Sequence, residues 1–188
     1  MHEIILPETK PALEWVNGRV LQKVSPQRKH ALAQAVFAAA IGAWARENGC
    51  GRFGTEWEFR LQPPGEIRRP LVPDVAYLSY ARLSYESPDA ADIPRIAPDA
   101  VIEILSPGDR KKDLEDKIRV YFACGTNVVF IVNTCDKTVT IRDADGQRVI
   151  GSDEVVSHAS LPGLAMPACT LFEEPLPRGF EKVRPGKR

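Results

Sequence analysis

The chain has 188 residues, enough for one domain with a buried core, and its 44% apolar and 27% charged residues are typical of globular proteins. Lys plus Arg equals Asp plus Glu at 25 each, so the chain has no overall positive charge that would favour nucleic-acid binding. A local basic rim around an acidic pocket is still compatible with zero net charge. The sequence contains no apolar run of the roughly 20 residues that a membrane span needs, and its first residues lack a signal-peptide pattern. We expect a cytoplasmic protein with no membrane partner.

The cysteines support the same expectation. Cys50, Cys124, Cys135 and Cys169 are widely spaced and have no partner histidine nearby. This spacing predicts reduced thiols, mostly in the core, and argues against a structural zinc site.

The first part of the chain predicts a hairpin followed by a long helix. Asn17-Gly18 between apolar residues predicts a tight turn within 13–24. Ser25-Pro26 is a helix-start signal, because the hydroxyl can cap the helix and proline suits its first position. Apolar residues then recur at three- and four-residue steps, and Asn48-Gly49 is expected to end this helix.

The middle of the chain predicts two strands and two irregular connections. Alternating apolar and polar residues over 53–61 predict a strand with one exposed face. A turn-rich connection over 63–70 leads to a second strand over 72–79. Residues 81–98 contain three prolines and several acids, which favours a loop.

The second half predicts a strand–helix–strand unit followed by hairpins. The nearly continuous apolar run over 99–105 is typical of a strand covered on both faces. A helix is expected to follow as far as about 124–125, and then strands over 127–133, 137–142 and 147–151.

The order of these elements predicts an α/β (α+β) fold with a central mixed β-sheet flanked by helices. We expect a single domain over residues 1–174 and a basic, proline-containing tail over 175–188.

Two carboxylates stand out because each interrupts an apolar strand. Asp74 follows a proline at the start of one strand, and Glu103 lies within Ala-Val-Ile-Glu-Ile-Leu. A buried carboxylate without a partner costs several kcal/mol, so it needs a cation, a proton or a metal. Acids on adjacent strands can share Mg²⁺, which prefers oxygen ligands, and the carbonyl of Ile104 would be a further ligand.

The helix after Glu103 supplies a candidate lysine. Asp113, Lys117 and Tyr121 recur at steps of four, so they form one stripe, beside an apolar stripe expected to pack on the sheet. An ammonium near the strand end could orient or deprotonate an attacking water and screen the charge of a phosphate.

These residues carry a family resemblance. Pro73-Asp74 and the run from Glu103 through Ser106-Pro107, Asp113 and Lys117 to Tyr121 resemble the Uma-two family of bacterial endonuclease-like proteins, part of the PD-(D/E)xK restriction-endonuclease-like superfamily. The resemblance covers roughly residues 12–172. It implies that Asp74 and Glu103 bind Mg²⁺ or Mn²⁺ and that Lys117 is the catalytic lysine. In the superfamily the lysine usually lies two residues after the acid, where this chain has Leu105.

Further residues are candidates for supporting roles, and each also has an ordinary structural explanation. Asp113 could form a surface ion pair, Tyr121 could be a core-edge aromatic, Ser106 could shape a turn, and His30 could cap or pack a helix. Charged residues that flank the two acids in sequence could form a rim for nucleic-acid phosphates: Arg68, Arg69, Arg110, Lys111 and Lys112.

The function that best fits these residues is a Mg²⁺- or Mn²⁺-dependent DNA endonuclease, for which a homodimer would be the simplest way to cut both strands. One alternative is a non-catalytic module with the same fold that binds nucleic acid or a protein. Another is a metal-dependent hydrolase of RNA or a different phosphate ester.

Overall fold

A mixed β-sheet of six strands is the centre of the protein in our computed structural model, which describes residues 3–23 and 27–174. The described strands are, in chain order, β1 (Leu13–Val16), β2 (Arg19–Gln22), β3 (Gly51–Thr55), β4 (Phe59–Leu61), β5 (Arg69–Leu71), β6 (Val75–Ser79), β7 (Ala100–Ile104), β8 (Val128–Asn133), β9 (Thr138–Asp143), β10 (Gly146–Gly151), β11 (Val155–Ser157) and β12 (Ala165–Pro167). The described helices are α1 (Arg28–Asn48), α2 (Pro88–Asp92), α3 (Lys111–Ala123) and a 3₁₀ helix (Ala168–Leu171).

The strand order of the central sheet is β10-β9-β8-β7-β6-β3. β7 and β8 are parallel and are joined by the crossover helix α3, whereas the other neighbours are antiparallel. The α+β class with a mixed sheet flanked by helices, predicted from the order of elements, is therefore confirmed.

The two long helices cover opposite faces of this sheet, because successive side chains of a strand point to opposite sides. On one face, Phe37 of α1 contacts Phe130 of β8 with ring centroids 5.5 Å apart. On the other face, Ile118 and Tyr121 of α3 pack with Val129. Both surfaces of β7 and β8 are thus buried, which explains their continuous apolar runs.

The N-terminal hairpin has the turn that its sequence predicts. Asn17 and Gly18 both have positive φ, at 50° and 75°, as a two-residue hairpin turn requires. The turn is attached to α3, where Asn17 donates its backbone N–H to Asp116 at 2.8 Å and the guanidinium of Arg19 pairs with Asp113 at 2.5 Å. These contacts fix the hairpin against the face of the sheet that α3 covers.

The predicted long helix is confirmed from Arg28 to its end at Gly49, whose φ of 57° is the left-handed conformation expected after a helix. The Ser25-Pro26 start signal lies outside the described residues. In α3, the stripe of Asp113, Lys117 and Tyr121 is itself buried. The neighbouring apolar stripe packs on the sheet as predicted, with Ile118 buried and Leu114 and Phe122 partly buried against the same core.

The predicted strand over 53–61 is wrong in its continuity. β3 and β4 are separate, and between them Glu56 has a φ of 51°, which no regular strand contains. β4 instead pairs with β5, which lies partly in the connection expected to be irregular. The expected loop over 81–98 contains the short helix α2.

The C-terminal part adds elements that the sequence did not predict, since β11 pairs with β12 ahead of the 3₁₀ helix. The tail over 175–188 lies outside the described residues. All four cysteines are free thiols, but none lies fully in the core, and Cys135 is exposed. Within 3–23 and 27–174, no helix is long and apolar enough to cross a membrane.

Candidate functional site

Asp74 lies immediately before β6 and is buried, with 3% of its surface exposed. Its Oδ2 accepts a hydrogen bond of 2.6 Å from the backbone N–H of Ile104, and its Oδ1 lies 2.6 Å from the ammonium of Lys23. Burial would raise the pKa of Asp74, but the hydrogen bond with His30 and the charges of Lys23 and Lys117 hold it well below its usual value. Asp74 is therefore ionised at neutral pH.

Glu103 lies on β7, beneath the inner face of α3. Its Oε2 accepts a hydrogen bond of 2.8 Å from Lys117, and its Oε1 accepts one of 2.8 Å from the hydroxyl of Tyr121. Burial raises the pKa of Glu103 to about 7 against the attraction of the Lys117 ammonium. Burial thus favours the protonated form of Glu103, whereas the Lys117 ammonium favours the ionised form.

Lys117 joins two acids that are distant in the sequence. Its ammonium lies 2.8 Å from Glu103 and 3.0 Å from Glu14 of β1. Burial disfavours the charged form, but the carboxylates of Glu103, Glu14 and Asp74 raise the pKa of Lys117 above its ordinary value. The side chain is thus an ammonium at neutral pH, able to donate hydrogen bonds but not to accept a proton.

The register of β6 and β7 sets the two acids side by side. Val75 pairs with Ile102, so continuing this antiparallel register by one residue places Asp74 opposite Glu103 on the same face. Asp74, Glu103 and Lys117 line a cavity of about 750 Å³. The three residues singled out in the sequence are therefore together in space.

Lys23, which follows β2, supplies a second ammonium to this cavity. Its Nζ lies 2.6 Å from Asp74 Oδ1, 3.0 Å from the carbonyl oxygen of Val72 and 3.2 Å from Glu56 Oε2. Burial lowers the pKa of Lys23, but the negative charges of Asp74, Glu14 and Glu103 together outweigh this effect and raise the pKa. Lys23 is therefore a charged neighbour of the first acid.

His30 reaches the cavity from the first turns of α1. Its Nε2 lies 3.4 Å from Asp74 Oδ2, and its buried Nδ1 has no hydrogen-bond partner within residues 3–23 and 27–174. Burial lowers the pKa of His30, but Asp74 outweighs this effect and raises it. The structure thus places His30 against the site.

The other candidates have mixed positions. Ser106 lines the cavity, and its backbone N–H is bonded to Asp109. Asp113 also lines it, but its carboxylate holds Asn17 and Arg19 of the hairpin. Ile104 also lines the cavity. Its N–H donates to Asp74, and its carbonyl oxygen is the atom predicted to bind a metal.

The expected basic rim is only partly at the site. Arg110 lines the cavity, with Lys111 and Lys112 exposed on the adjoining first turn of α3. Arg69 is buried in an ion pair with Asp116. Arg68 lies elsewhere, at a second cavity, where it binds the carbonyl of residue 60 at 2.8 Å.

Glu14, Lys23 and Glu56 belong to the site but were missed in the sequence. The one available signal was the position of Glu14, an acid in the alternating pattern of β1 whose side chain lies on the buried face. Lys23 and Glu56 carry no such signal, because polar residues beside turns are usually solvated.

The acids suit a hard divalent cation, because Asp74, Glu103 and Glu56 present carboxylate oxygens around one cavity. Lysine ammonium groups lie against all three of these carboxylates. Across residues 3–23 and 27–174, no group of three or more His, Cys, Asp or Glu side chains is arranged to hold a metal. The carboxylate oxygens are therefore of the type that binds a divalent metal, but in this structure they form ion pairs with lysine ammonium groups.

The chain was compared with known proteins. Among curated proteins, none matches it. A solved structure described as a putative nuclease belonging to DUF820 from Anabaena variabilis has a TM-score of 0.78 and 27% identity, over 89% of this chain and 93% of that one. The model of the Uma2 (Uma-two) family, described as "Putative restriction endonuclease", matches residues 2–169. These matches support a nuclease function and confirm the resemblance carried by Asp74, Glu103 and Lys117: the chain belongs to the Uma2 family.

Proposed function

We propose that the protein is a divalent-metal-dependent endonuclease that hydrolyses phosphodiester bonds of DNA. The observation that carries the proposal is the placement of Asp74 opposite Glu103, with the ammonium of Lys117 2.8 Å from Glu103, in one cavity. This combination of two acids and one cation serves both needs of phosphodiester hydrolysis, which are metal ligation and stabilisation of developing negative charge.

In this proposal the residues have distinct roles. Asp74, Glu103 and the carbonyl of Ile104 hold Mg²⁺ or Mn²⁺, which when bound polarises the phosphate and lowers the pKa of a bound water. Lys117 donates hydrogen bonds to the attacking water or to the phosphoryl oxygens. Tyr121 and Glu14 hold Glu103 and Lys117 in position.

The nucleic acid would approach over the start of α3. Arg110 lines the cavity, and Lys111 and Lys112 on the adjoining turn can bind flanking phosphates. A homodimer is part of the proposal, since two sites are the simplest way to cut both strands of a duplex.

The experiment is cleavage of supercoiled plasmid and single-stranded DNA by purified protein with Mg²⁺, Mn²⁺ or EDTA. Asp74→Asn, Glu103→Gln and Lys117→Met are each expected to reduce metal-dependent cleavage at least about a hundredfold. The matched controls are Glu47→Gln and Lys29→Met, which change exposed residues of α1 outside the cavity and should cleave like wild type.

Circular dichroism on every variant separates loss of chemistry from loss of fold. If wild type and the three site variants cleave at the same rate, the activity is a contaminant and the endonuclease proposal fails. Cleavage of RNA but not of DNA would favour the hydrolase of another phosphate ester. Nucleic-acid binding without turnover would favour the non-catalytic module.

A further inference from the structure

Three oxygens from two separate segments surround the ammonium of Lys23. They are Asp74 Oδ1 at 2.6 Å, the carbonyl oxygen of Val72 at 3.0 Å and Glu56 Oε2 at 3.2 Å. Two carboxylates and a carbonyl are the oxygen types that a hard divalent cation prefers. We call this set of three oxygens the oxygen cage.

The chain holds the oxygen cage in place by contacts that do not involve Lys23. Glu56 has a φ of 51°, in the left-handed backbone region that residues other than glycine rarely adopt. Its N–H donates to the carbonyl of Asp74 at 3.3 Å. The amide of Gln34 donates both to Glu56 Oε1 and to the carbonyl of Asp74, each at 2.9 Å. The position of the Glu56 carboxylate is therefore fixed by α1 and by the segment before β6.

The cation in the oxygen cage is the side chain best able to leave. Lys23 lies beyond the end of β2, and its ammonium is carried on a flexible four-carbon chain that can turn toward the cavity without moving the backbone. Lys117 differs, because it is central in α3 and lies between two buried carboxylates. Of the two ammonium groups, only that of Lys23 both lies among oxygens that could bind a metal and can turn away from them into the cavity.

We propose that the Lys23 ammonium occupies the oxygen cage when no divalent cation is bound, and that Mg²⁺ or Mn²⁺ displaces it, with Glu56 as a further carboxylate ligand beside Asp74. The inference rests on the proposed metal dependence and adds a specific competitor and ligand to it. The internal cation balances the charge of the acids in the absence of metal and weakens metal binding by the free energy needed to displace it.

The first test is calorimetric titration of the full chain with Mn²⁺. Lys23→Met is expected to bind Mn²⁺ about tenfold more tightly or better than wild type, because the competing charge is gone. Lys29→Met removes an exposed lysine outside the cavity and should bind like wild type. Glu56→Gln should weaken binding in the Lys23→Met background. Lys23→Gln is a second neutral variant should Lys23→Met fail to fold.

The second test separates displacement from a simple loss of charge, and it needs only wild type. Amine acylation followed by peptide mass spectrometry reports how accessible each lysine is. Mn²⁺ should increase the labelling of Lys23 at least about twofold as its ammonium leaves the oxygen cage, and should leave Lys29 unchanged. Tighter Mn²⁺ binding by Lys23→Met together with unchanged labelling of Lys23 would overturn the displacement.

The two proposals fail in different ways. If Lys23→Met binds Mn²⁺ no more tightly than wild type, while Asp74→Asn abolishes binding, the inference about Lys23 is wrong and the metal site stands. If neither wild type nor any Lys23 variant binds Mn²⁺, both the inference and the proposed metal dependence are wrong.

Discussion

The carboxylate of Glu14 lies 3.0 Å from the ammonium of Lys117, which links the N-terminal hairpin to the centre of α3. Glu14 also accepts a hydrogen bond of 2.7 Å from the backbone N–H of Val72. Both side chains of the ion pair are buried. One acid therefore connects three separate parts of the chain within the candidate site.

Glu14→Gln should destabilise the protein by about 1–3 kcal/mol, because it leaves Lys117 with one carboxylate while keeping an oxygen for Val72. Urea denaturation measures the effect. Glu8→Gln, at an exposed position, is the matched control and should be neutral. Equal stability of the two variants would show that the buried pair does not hold the hairpin.

Tyr121→Phe should cost about 1–3 kcal/mol of unfolding free energy, because it removes the fully buried hydroxyl that donates to Glu103 at 2.8 Å. Cleavage per folded molecule should fall much less than in Lys117→Met, since Tyr121 positions the acid and does not line the cavity. Tyr85→Phe is the control, because that ring is 71% exposed. A loss of cleavage as large as that of Lys117→Met would assign Tyr121 a direct role in the chemistry.

Mn²⁺ binding should strengthen as the pH rises from about 6 to about 8. Burial raises the pKa of Glu103 to about 7, so the acid is mostly protonated at the lower pH and must release its proton to bind a metal. The expected gain is about tenfold. Titration calorimetry at the two pH values measures it, and Glu103→Gln should show weaker binding with a smaller pH dependence. An affinity that does not change with pH would contradict the role of Glu103 as a ligand.

The ionised carboxylate of Asp74 should stabilise the fold at neutral pH and lose this effect in acid. Its contacts with His30 and Lys23 outweigh the effect of burial and hold its pKa well below the ordinary value of 3.8, so the unfolded chain takes up the proton first. The contribution is therefore complete above the ordinary pKa and disappears as the pH falls through the lower pKa of the folded state. Urea denaturation of wild type and Asp74→Asn should show a difference in unfolding free energy that shrinks as the pH falls below about 4. A constant difference would contradict this linkage.

Much of the fold could be predicted because its signals are local. The Asn17-Gly18 turn, the stop at Gly49 and the apolar runs of β7 and β8 each follow from neighbouring residues. The break at Glu56 could not be predicted, because the side chains on either side keep the alternation of a strand. Its left-handed backbone is accompanied by hydrogen bonds to Asp74 and Gln34, which are remote in the sequence.

The candidate site could likewise be predicted only in part. Asp74 and Glu103 could be singled out because a carboxylate is costly inside an apolar strand. Arg69 could not be separated from a phosphate-binding residue, since its buried partner Asp116 comes from α3. Glu14 and Lys23 reach the site only because the hairpin docks on that helix.

The docking of the hairpin on α3 also has a consequence for the order in which the molecule folds. Asn17 and Arg19 find their partners, Asp116 and Asp113, only after roughly a hundred further residues have been arranged. Such distant pairings raise the contact order and slow folding, whereas the turn itself can form within microseconds. The hairpin is therefore expected to form early but dock late, so that Lys23 meets Asp74, and Lys117 meets Glu14, only at the end of folding.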